Sequence, residues 1–511
     1  MTVQVLDLFS GPGGLGEGFA SLDGGKAFQI AISAEMEISA FKTLSLRAFF
    51  RLAVVNGEKQ AIDAYYRFCN QPEGSNPLEL FPDLAALALS EARQLTLGDP
   101  ASNTVLDDVL RQRKFDPDRT VLIGGPPCQA YSLVGRARNK GTAGYLAEDD
   151  HRHFLYREYL RILAKTRPAV FVMENVKGIL SSNVGGRKIF HDILTDLRDP
   201  VRAISGGYGP RYVIHSLVNG TTFGPGMEPS DIDARDFIVK AEQYGIPQAR
   251  HRVILLGVRQ DVEGKVSTLK QAQAITVRDA IGSLPHLRSR LSTNDSPEKW
   301  ESSVSAAGRR LSKSAKKLRQ YDISERLGDV AGYVQGDMPT GSLRFPRWPA
   351  IEPVGQSSFE RWVKDKKISV WLNHEARSHM ESDLGRYLYA SVFAELNSRS
   401  PKGHLEFLLD GLAPDHANWE SGKFVDRFRV QPFGVASTTV TSHIAKDGHY
   451  FIHPDPVQCR SLTVREAARL QTFPDNYFFL GNRTQQYHQV GNAVPPLLAR
   501  QIAKIVHSII G

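Results

Sequence analysis

The chain opens on a strand-like run, Gln4 to Phe9, followed at once by Ser10-Gly-Pro-Gly-Gly-Leu-Gly16 and a helix-competent stretch from Glu17 to Leu22. No other feature narrows the possible folds as far. Glycines let backbone N–H groups approach a ligand closely, and the start of a helix favours negative charge. Gly11, Gly13 and Gly16 satisfy G-x-G-x-x-G, and a second apolar run, Phe28 to Ala34, ends at Glu35. A dinucleotide fold places the carboxylate that holds a ribose diol about 20 residues past the last glycine, which is where Glu35 falls. The pattern therefore calls for a parallel α/β sheet and a nucleoside-bearing cofactor. It leaves NAD and S-adenosylmethionine level, with a purely structural glycine turn not far behind.

A third apolar run, Val121 to Ile123, ends in Gly124-Gly-Pro-Pro-Cys128. The two prolines fix φ at about −65° and remove two donors, so Cys128 sits on a stiff turn. Side chains just past the carboxyl ends of parallel strands project into the ligand crevice. The other cysteines, Cys69 and Cys459, lack this setting. The polar, glycine-containing stretch 135–150 has the character of a mobile loop beside Cys128. Helical periodicity returns from His153 to Lys165, and the apolar run Ala169 to Met173 ends at Glu174-Asn175-Val176. A lone Glu there is ordinarily a loop residue or a cap. Four successive strands that each end in a glycine or polar feature are harder to dismiss.

Between these strands, Arg47 to Leu97 is mostly helical in character, broken at Asn70 to Pro77, and has the look of an insertion at 51–97. Asp99 is either a contact for an adenine amine or the N-cap of a helix over Val105 to Leu110, and without context the cap is favoured. Further on, Tyr212 to Val218 forms another strand candidate. Gln248-Ala-Arg-His-Arg252 then runs into the apolar Val253 to Val258, and in an extended segment Arg250 and Arg252 share a face suited to a phosphate or a base carbonyl.

From about Thr276 strand–helix alternation stops. Arg309, Arg310, Lys313, Lys316, Lys317 and Arg319 crowd one short stretch without an acid, and the section to about Gly434 is rich in Gly, Pro, Ser, Arg and Trp. A separate module of irregular loops and short elements is expected at 280–440. His374 and His379 are five apart rather than four, which misaligns them on a helix, so no metal site is assigned. Thr463 with Glu466 has the capping-box pattern, and the apolar helix from Leu497 to Ile510 should dock back on the first domain. The catalytic domain is thus expected at 1–279, with 441–511 returning to it. With 511 residues the chain is expected to hold about two to four domains, and its 41% hydrophobic and 23% charged content are ordinary for a soluble globular enzyme. The absence of a secretory start and of a long apolar span, with three unpaired cysteines, points to the cytoplasm. A net charge of +8 is compatible with a polyanionic partner.

These segments, in this order, resemble the DNA (cytosine-5)-methyltransferases of bacterial restriction–modification systems. The resemblance rests on Asp7-Leu-Phe-Ser-Gly-Pro-Gly-Gly14, Glu35, Gly98-Asp99, Gly125-Pro-Pro-Cys-Gln129, Glu174-Asn175-Val176, Gln248-Ala-Arg-His-Arg252, Arg465-Glu-Ala-Ala-Arg-Leu-Gln471 and Gly491-Asn-Ala-Val494. It implies a Rossmann-like S-adenosylmethionine-dependent methyltransferase domain with a separate target-recognition domain, and it decides the cofactor for S-adenosylmethionine, with no metal. It also implies Cys128 as nucleophile, Glu174 as the acid at cytosine N3, and Arg250 with Arg252 on the base carbonyl and backbone. For the cofactor it implies Phe9 on the adenine face, Gly11, Gly13, Gly14 and Leu15 at the methionine end, Glu35 on the ribose, Asp99 on the adenine amine and Asn492 lining the pocket. The expected partner is double-stranded DNA, bound by a monomer that flips out its target base. A restriction endonuclease is the expected functional counterpart, without a stable complex. Three alternatives stand beside this: a tRNA cytosine-5 methyltransferase of the same fold, an NAD-dependent oxidoreductase, and a non-catalytic DNA-binding regulator.

Overall fold

The structure, a computed structural model, describes residues 2–127, 152–184, 187–347, 357–414, 419 and 427–511. Cys128 and the stretch 135–150 lie outside the described residues. Nine strands build one sheet: β1 (Val3–Leu8), β2 (Phe28–Glu35), β3 (Ala92–Gln94), β4 (Thr120–Gly124), β5 (Val170–Val176), β6 (Tyr212–Ser216), β7 (Thr222–Phe223), β8 (Ile238–Lys240) and β9 (His251–Arg259). Their spatial order is β3-β2-β1-β4-β5-β9-β6-β7, with β8 paired to β9. Strands β1 to β5 are parallel, whereas β9 runs antiparallel to both β5 and β6.

The continuous apolar runs have a simple cause, since both faces of the sheet are covered. Leu6, Leu8, Leu122 and Phe171 face one apolar cluster, while Val3, Val5, Val121, Ile123, Val170 and Val172 face another. Chain order reverses at β1, between β2 and β4, so a crevice opens at the carboxyl ends of these strands. The glycine turn, Glu35, Gly124-Gly125 and Glu174 all lie at that edge.

Helix α1 (Gly14–Ala20) follows the glycine turn, and α2 (Ile38–Asn56), α3 (Lys59–Asn70) and α4 (Pro82–Glu91) fill the segment after β2. Ala92–Gln94 then joins the main sheet, so the helical character expected through Leu97 ends at Glu91. The module beyond Thr276 departs from its expected irregularity. It carries three long helices, α5 (Pro297–Lys317), α6 (Tyr321–Tyr333) and α7 (Glu381–Asn397). Composition hid them. Within the basic stretch, Trp300, Val304, Leu311 and Ala315 recur at helical spacing and are fully buried, and Ser296 caps the helix ahead of Pro297. With Leu327, Leu384, Leu388 and Cys459 these residues form a core distinct from those of the sheet.

The last helix, α8 (Pro496–Ile510), packs on α1, and Ile502 and Val506 join the cluster behind β1. The approach is tight at Gly18, where an added Cβ would lie 2.4 Å from the Ala499 Cβ and 2.5 Å from the Pro496 carbonyl oxygen. Gly18→Ala is therefore expected to destabilise the protein by about 1–3 kcal/mol through overpacking. Thermal melting of the variant checks this, and an unchanged midpoint would contradict the contact. Among the described residues no helix is long and apolar enough to cross a membrane.

Candidate active site

Glu174 lies two residues before the end of β5, opposite Ile254 of β9, and Val176 lies opposite Arg252. Glu174 and Arg252 are thus diagonal neighbours on one face of an antiparallel pair, close enough for long side chains to meet. They do meet. Arg252 Nε stands 2.9 Å from Glu174 Oε1, with both side chains largely shielded. The contact lacks hydrogen-bond alignment at Nε, so its attraction is chiefly coulombic, and Nη1 donates to the His251 carbonyl oxygen at 2.9 Å.

The same carboxylate borders the Gly-Pro-Pro turn after β4. A Cβ at Gly125 would stand 3.0 Å from Glu174 Oε2, so any larger residue there would press on the carboxylate. Asn175, buried, donates through Nδ2 to the Pro126 carbonyl oxygen at 3.2 Å. Strand β5 thereby grips the backbone that leads into Cys128. The sequence placed Asn175 inside a signature but gave it no task; its position between Glu174 and Val176 was the only signal.

Arg250 takes a different role from the one its spacing suggested. It is fully enclosed, donating from Nη1 to the Val440 carbonyl oxygen at 2.8 Å, while Nε has no partner among the described residues. Burial, and then the neighbouring Arg252 cation, lower its pKa well below the usual arginine range, against the pull of Glu174. The three charges are therefore close together. Only Arg252 pairs directly with the carboxylate, and Arg250 ties the end of β9 to the C-terminal segment.

The cofactor edge is equally compact. Glu35 Oε2 accepts from Gly11 N and Oε1 from Glu37 N, each at 2.8 Å, which holds the carboxylate against the glycine turn. Burial raises its pKa despite those two donors. Gly13 caps α1 at φ +98°, and Phe9 adopts φ +56°, a strained value for a non-glycine residue at the head of the turn. A Cβ on Gly14 would lie 2.2 Å from the Val494 carbonyl oxygen, so the Gly-Asn-Ala-Val segment lies directly against the turn. Asn492 is exposed beside it. Leu15 turns its side chain into the apolar cluster under α8, which leaves its main chain to the crevice. Asp99 N-caps the helix Pro100–Arg113, accepting from Ser102 N at 2.8 Å, and is exposed with its pKa lowered by that backbone bond.

One buried acid had no task assigned from the sequence. Asp7 lies beneath the turn with neither carboxylate oxygen hydrogen-bonded among the described residues, and burial pushes it up to about 8. A Cβ on Gly16 would stand 2.8 Å from Asp7 Oδ2, which accounts for that glycine. The remaining cysteines are poor nucleophiles. Burial raises Cys69 to about 12, and Cys459 is likewise raised and donates to the Pro456 carbonyl oxygen.

His374 and His379 belong to a buried polar network. His374 Nδ1 shares a hydrogen bond with the Thr463 hydroxyl at 3.0 Å, and His379 and His449 both meet the Tyr387 hydroxyl. Thr463 and Glu466 form the expected capping box, and Glu466 is paired with Arg460. Desolvation lowers His374 to about 4 and His453 to about 3, the latter also repelled by Arg460 and drawn up by Glu466. Both are neutral when folded and protonate more readily when unfolded. Their contribution is intact above the unfolded pKa of about 6.5. It is lost as pH falls from there towards 4 and 3. Melting temperature is expected to fall steadily between pH 6.5 and 4, and His453→Gln to flatten that slope. A flat wild-type profile would contradict it.

A parallel sheet extended at one edge by antiparallel pairings, a glycine turn after β1 and an acid at the end of β2 define a Rossmann-like methyltransferase fold. The sequence profile of the C-5 cytosine-specific DNA methylase family matches residues 101–215 and 235–508. The type II methyltransferase M.Bpa9945I of Bacillus paralicheniformis is 31% identical over 525 residues, covering 99% of each chain. The DNA (cytosine-5-)-methyltransferase M.ApeKI of Aeropyrum pernix is 26% identical over 557 residues, covering 99% of this chain and 98% of its own. A prophage-encoded E. coli protein assigned as a DNA modification methyltransferase shares the fold, with a TM-score of 0.54 at 19% identity over 99% of each chain. The chain belongs to the C-5 cytosine-specific DNA methylase family and is a DNA (cytosine-5-)-methyltransferase. The oxidoreductase alternative falls with that result.

Proposed function

We propose that this enzyme methylates carbon 5 of a flipped-out cytosine within a specific duplex DNA sequence, through a covalent adduct with Cys128. The observation that carries the reading is the grip of β5 on the turn before Cys128: Glu174 against Gly125, and Asn175 on the Pro126 carbonyl oxygen. An acid and a nucleophile on adjacent strand ends are what addition to a pyrimidine ring requires.

The Cys128 thiolate adds to carbon 6, forming the S–C6 bond as the ring's C5–C6 double bond opens. Glu174 delivers a proton to N3, so the ring's electrons become an enamine with carbon 5 nucleophilic. Arg252 orients the base through its carbonyl oxygen and holds Glu174 in place meanwhile. S-adenosylmethionine, when bound, supplies the methyl group. The residues fit it: Glu35 is held at the end of β2 against Gly11, where a ribose diol would be met, and a Cβ on Gly11 would meet nothing within 4 Å. Phe9, Asp99 and Asn492 border the same edge. Loss of the carbon 5 proton to a base then restores the double bond and expels the sulfur as thiolate, while the N3 proton returns to Glu174. A cytosine in a duplex cannot reach such a crevice, so the base must leave the stack.

The domains are read as catalytic over 1–279, with the helical insertion, target-recognising over 280–440, and returning over 441–511. The separate core around Trp300 and Leu388 supports the middle unit. Its basic helix α5 suits DNA phosphates, and binding should weaken steeply with salt. The type II relatives support a role in protecting host DNA from a restriction endonuclease in the cytoplasm. Bisulfite sequencing of DNA from cells expressing the protein should show one sequence fully methylated. Methyl incorporation into tRNA but not duplex DNA would favour the RNA-acting alternative instead.

A further inference from the structure

The segment 475–477 is held alternately from two sides. Asp475 N donates to the Val363 carbonyl oxygen at 2.7 Å, in the recognition module. Asn476 Nδ2 donates to Asp365 Oδ2 at 2.6 Å, in the same module. The Tyr477 hydroxyl, by contrast, donates to the Pro12 carbonyl oxygen, inside the glycine turn. Asn476 also faces both ways, because its Oδ1 accepts from Arg47 Nη1 at 3.0 Å and Arg47 Nε donates to Glu17 Oε2 at 2.9 Å. Glu17 stands on α1, directly behind the turn.

The helical insertion completes the link. From α3, the Tyr66 hydroxyl donates to Asp365 Oδ2 at 2.7 Å and the Tyr65 hydroxyl to the Asn476 carbonyl oxygen at 2.7 Å. Asn70 takes Ser369 N at 2.9 Å and donates to the Lys367 carbonyl oxygen at 2.9 Å. Arg344 donates to the Phe68 and Cys69 carbonyl oxygens, stacked over Phe68 and Phe478. Leu46, Phe50 and Tyr65 share an apolar cluster with Ile368, Val370 and Leu372. Glu17, Arg47, Asn476 and Tyr477 are all nearly or fully buried. In that setting an ionic hydrogen-bonded chain has few alternative geometries, so a shift at one end must be matched at the other.

We infer that Asp365 is a positioning residue that couples cofactor occupancy of the glycine turn to the seating of the recognition module on DNA, with the helical insertion as the link. Asp365 accepts from both α3 and the 475–477 segment, and through Asn476 and Arg47 it reaches α1. The inference rests on the function proposed above.

Coupling between two ligands is a reciprocal free energy, so it is measurable from either side. The probes are S-adenosylhomocysteine and a duplex carrying the sequence methylated in cells. In the wild type, each is expected to tighten binding of the other by the same factor, about 10-fold or more. Asp365→Asn keeps a single acceptor oxygen, so its amide nitrogen must face either the Tyr66 and Asn476 donors or the Lys367 N–H that Asp365 Oδ1 accepts at 2.8 Å. Its coupling factor is expected to fall at least fivefold, while the affinity for S-adenosylhomocysteine alone stays within twofold. Tyr66→Phe, which removes one donor and leaves the packing intact, should give an intermediate fall. A lowered melting temperature with the coupling factor unchanged would overturn the inference, as would a wild-type factor near one. A chain that binds no duplex at all would instead overturn the proposed function.

Discussion

Replacing Cys128 by serine is expected to reduce methyl transfer by about 10³-fold or more while DNA binding persists. A hydroxyl has the geometry of a thiol but is scarcely ionised near neutral pH, so it cannot open the ring. Neither of the other two thiols can substitute: Cys69 is raised to about 12 by burial, and Cys459 is buried behind its bond to the Pro456 carbonyl oxygen. Single-turnover methylation by the variant, alongside a binding titration, separates the two effects. Activity within tenfold of wild type would mean that ring activation does not pass through this sulfur.

Glu174→Gln is expected to lower kcat by about 10²–10⁴-fold, the range attributed to a positioned proton donor. The amide keeps the shape that fits against Gly125 and can still hydrogen-bond to the base, so affinity for DNA should change far less than kcat. Removing the carboxylate also releases Arg252 from a 2.9 Å contact, leaving two arginines together without their acid. The Arg250 guanidinium, already disfavoured by burial, is then more strained. Some loss of thermal stability is expected to accompany the loss of rate. A kcat within tenfold of wild type would remove Glu174 from the chemistry.

What the sequence revealed about the sheet follows from burial on both faces. Runs such as Val121 to Ile123 and Ala169 to Met173 have no helical period, and each stops at a glycine or an acid. Strand identity and the crevice residues could therefore be read together. The capping box at Thr463 and Glu466 was legible for the same local reason. Properties set by distant partners were not. Arg250 and Arg252 share a spacing, yet one is sealed beneath the Val440 carbonyl while the other meets Glu174, because β9 pairs antiparallel with β5. The helix Pro297–Lys317 was obscured because its apolar positions are diluted among lysines, arginines and serines. Asp99 spends one oxygen on Ser102 N as a cap, as the residues alone favoured. Asp7 and Asn175 stand inside recognisable segments, but their tasks lie in what the fold brings beside them.

The central claim is the covalent step at Cys128. Duplex DNA in which 5-fluorocytosine replaces the target base blocks the final elimination, because fluorine cannot leave as the carbon 5 proton does. Incubated with S-adenosylmethionine and resolved by denaturing electrophoresis and mass spectrometry, the wild-type enzyme is predicted to form a stable complex with the pyrimidine attached to the peptide containing Cys128. A methylating enzyme that forms no such complex, or one attached at Cys69 or Cys459, would contradict the account.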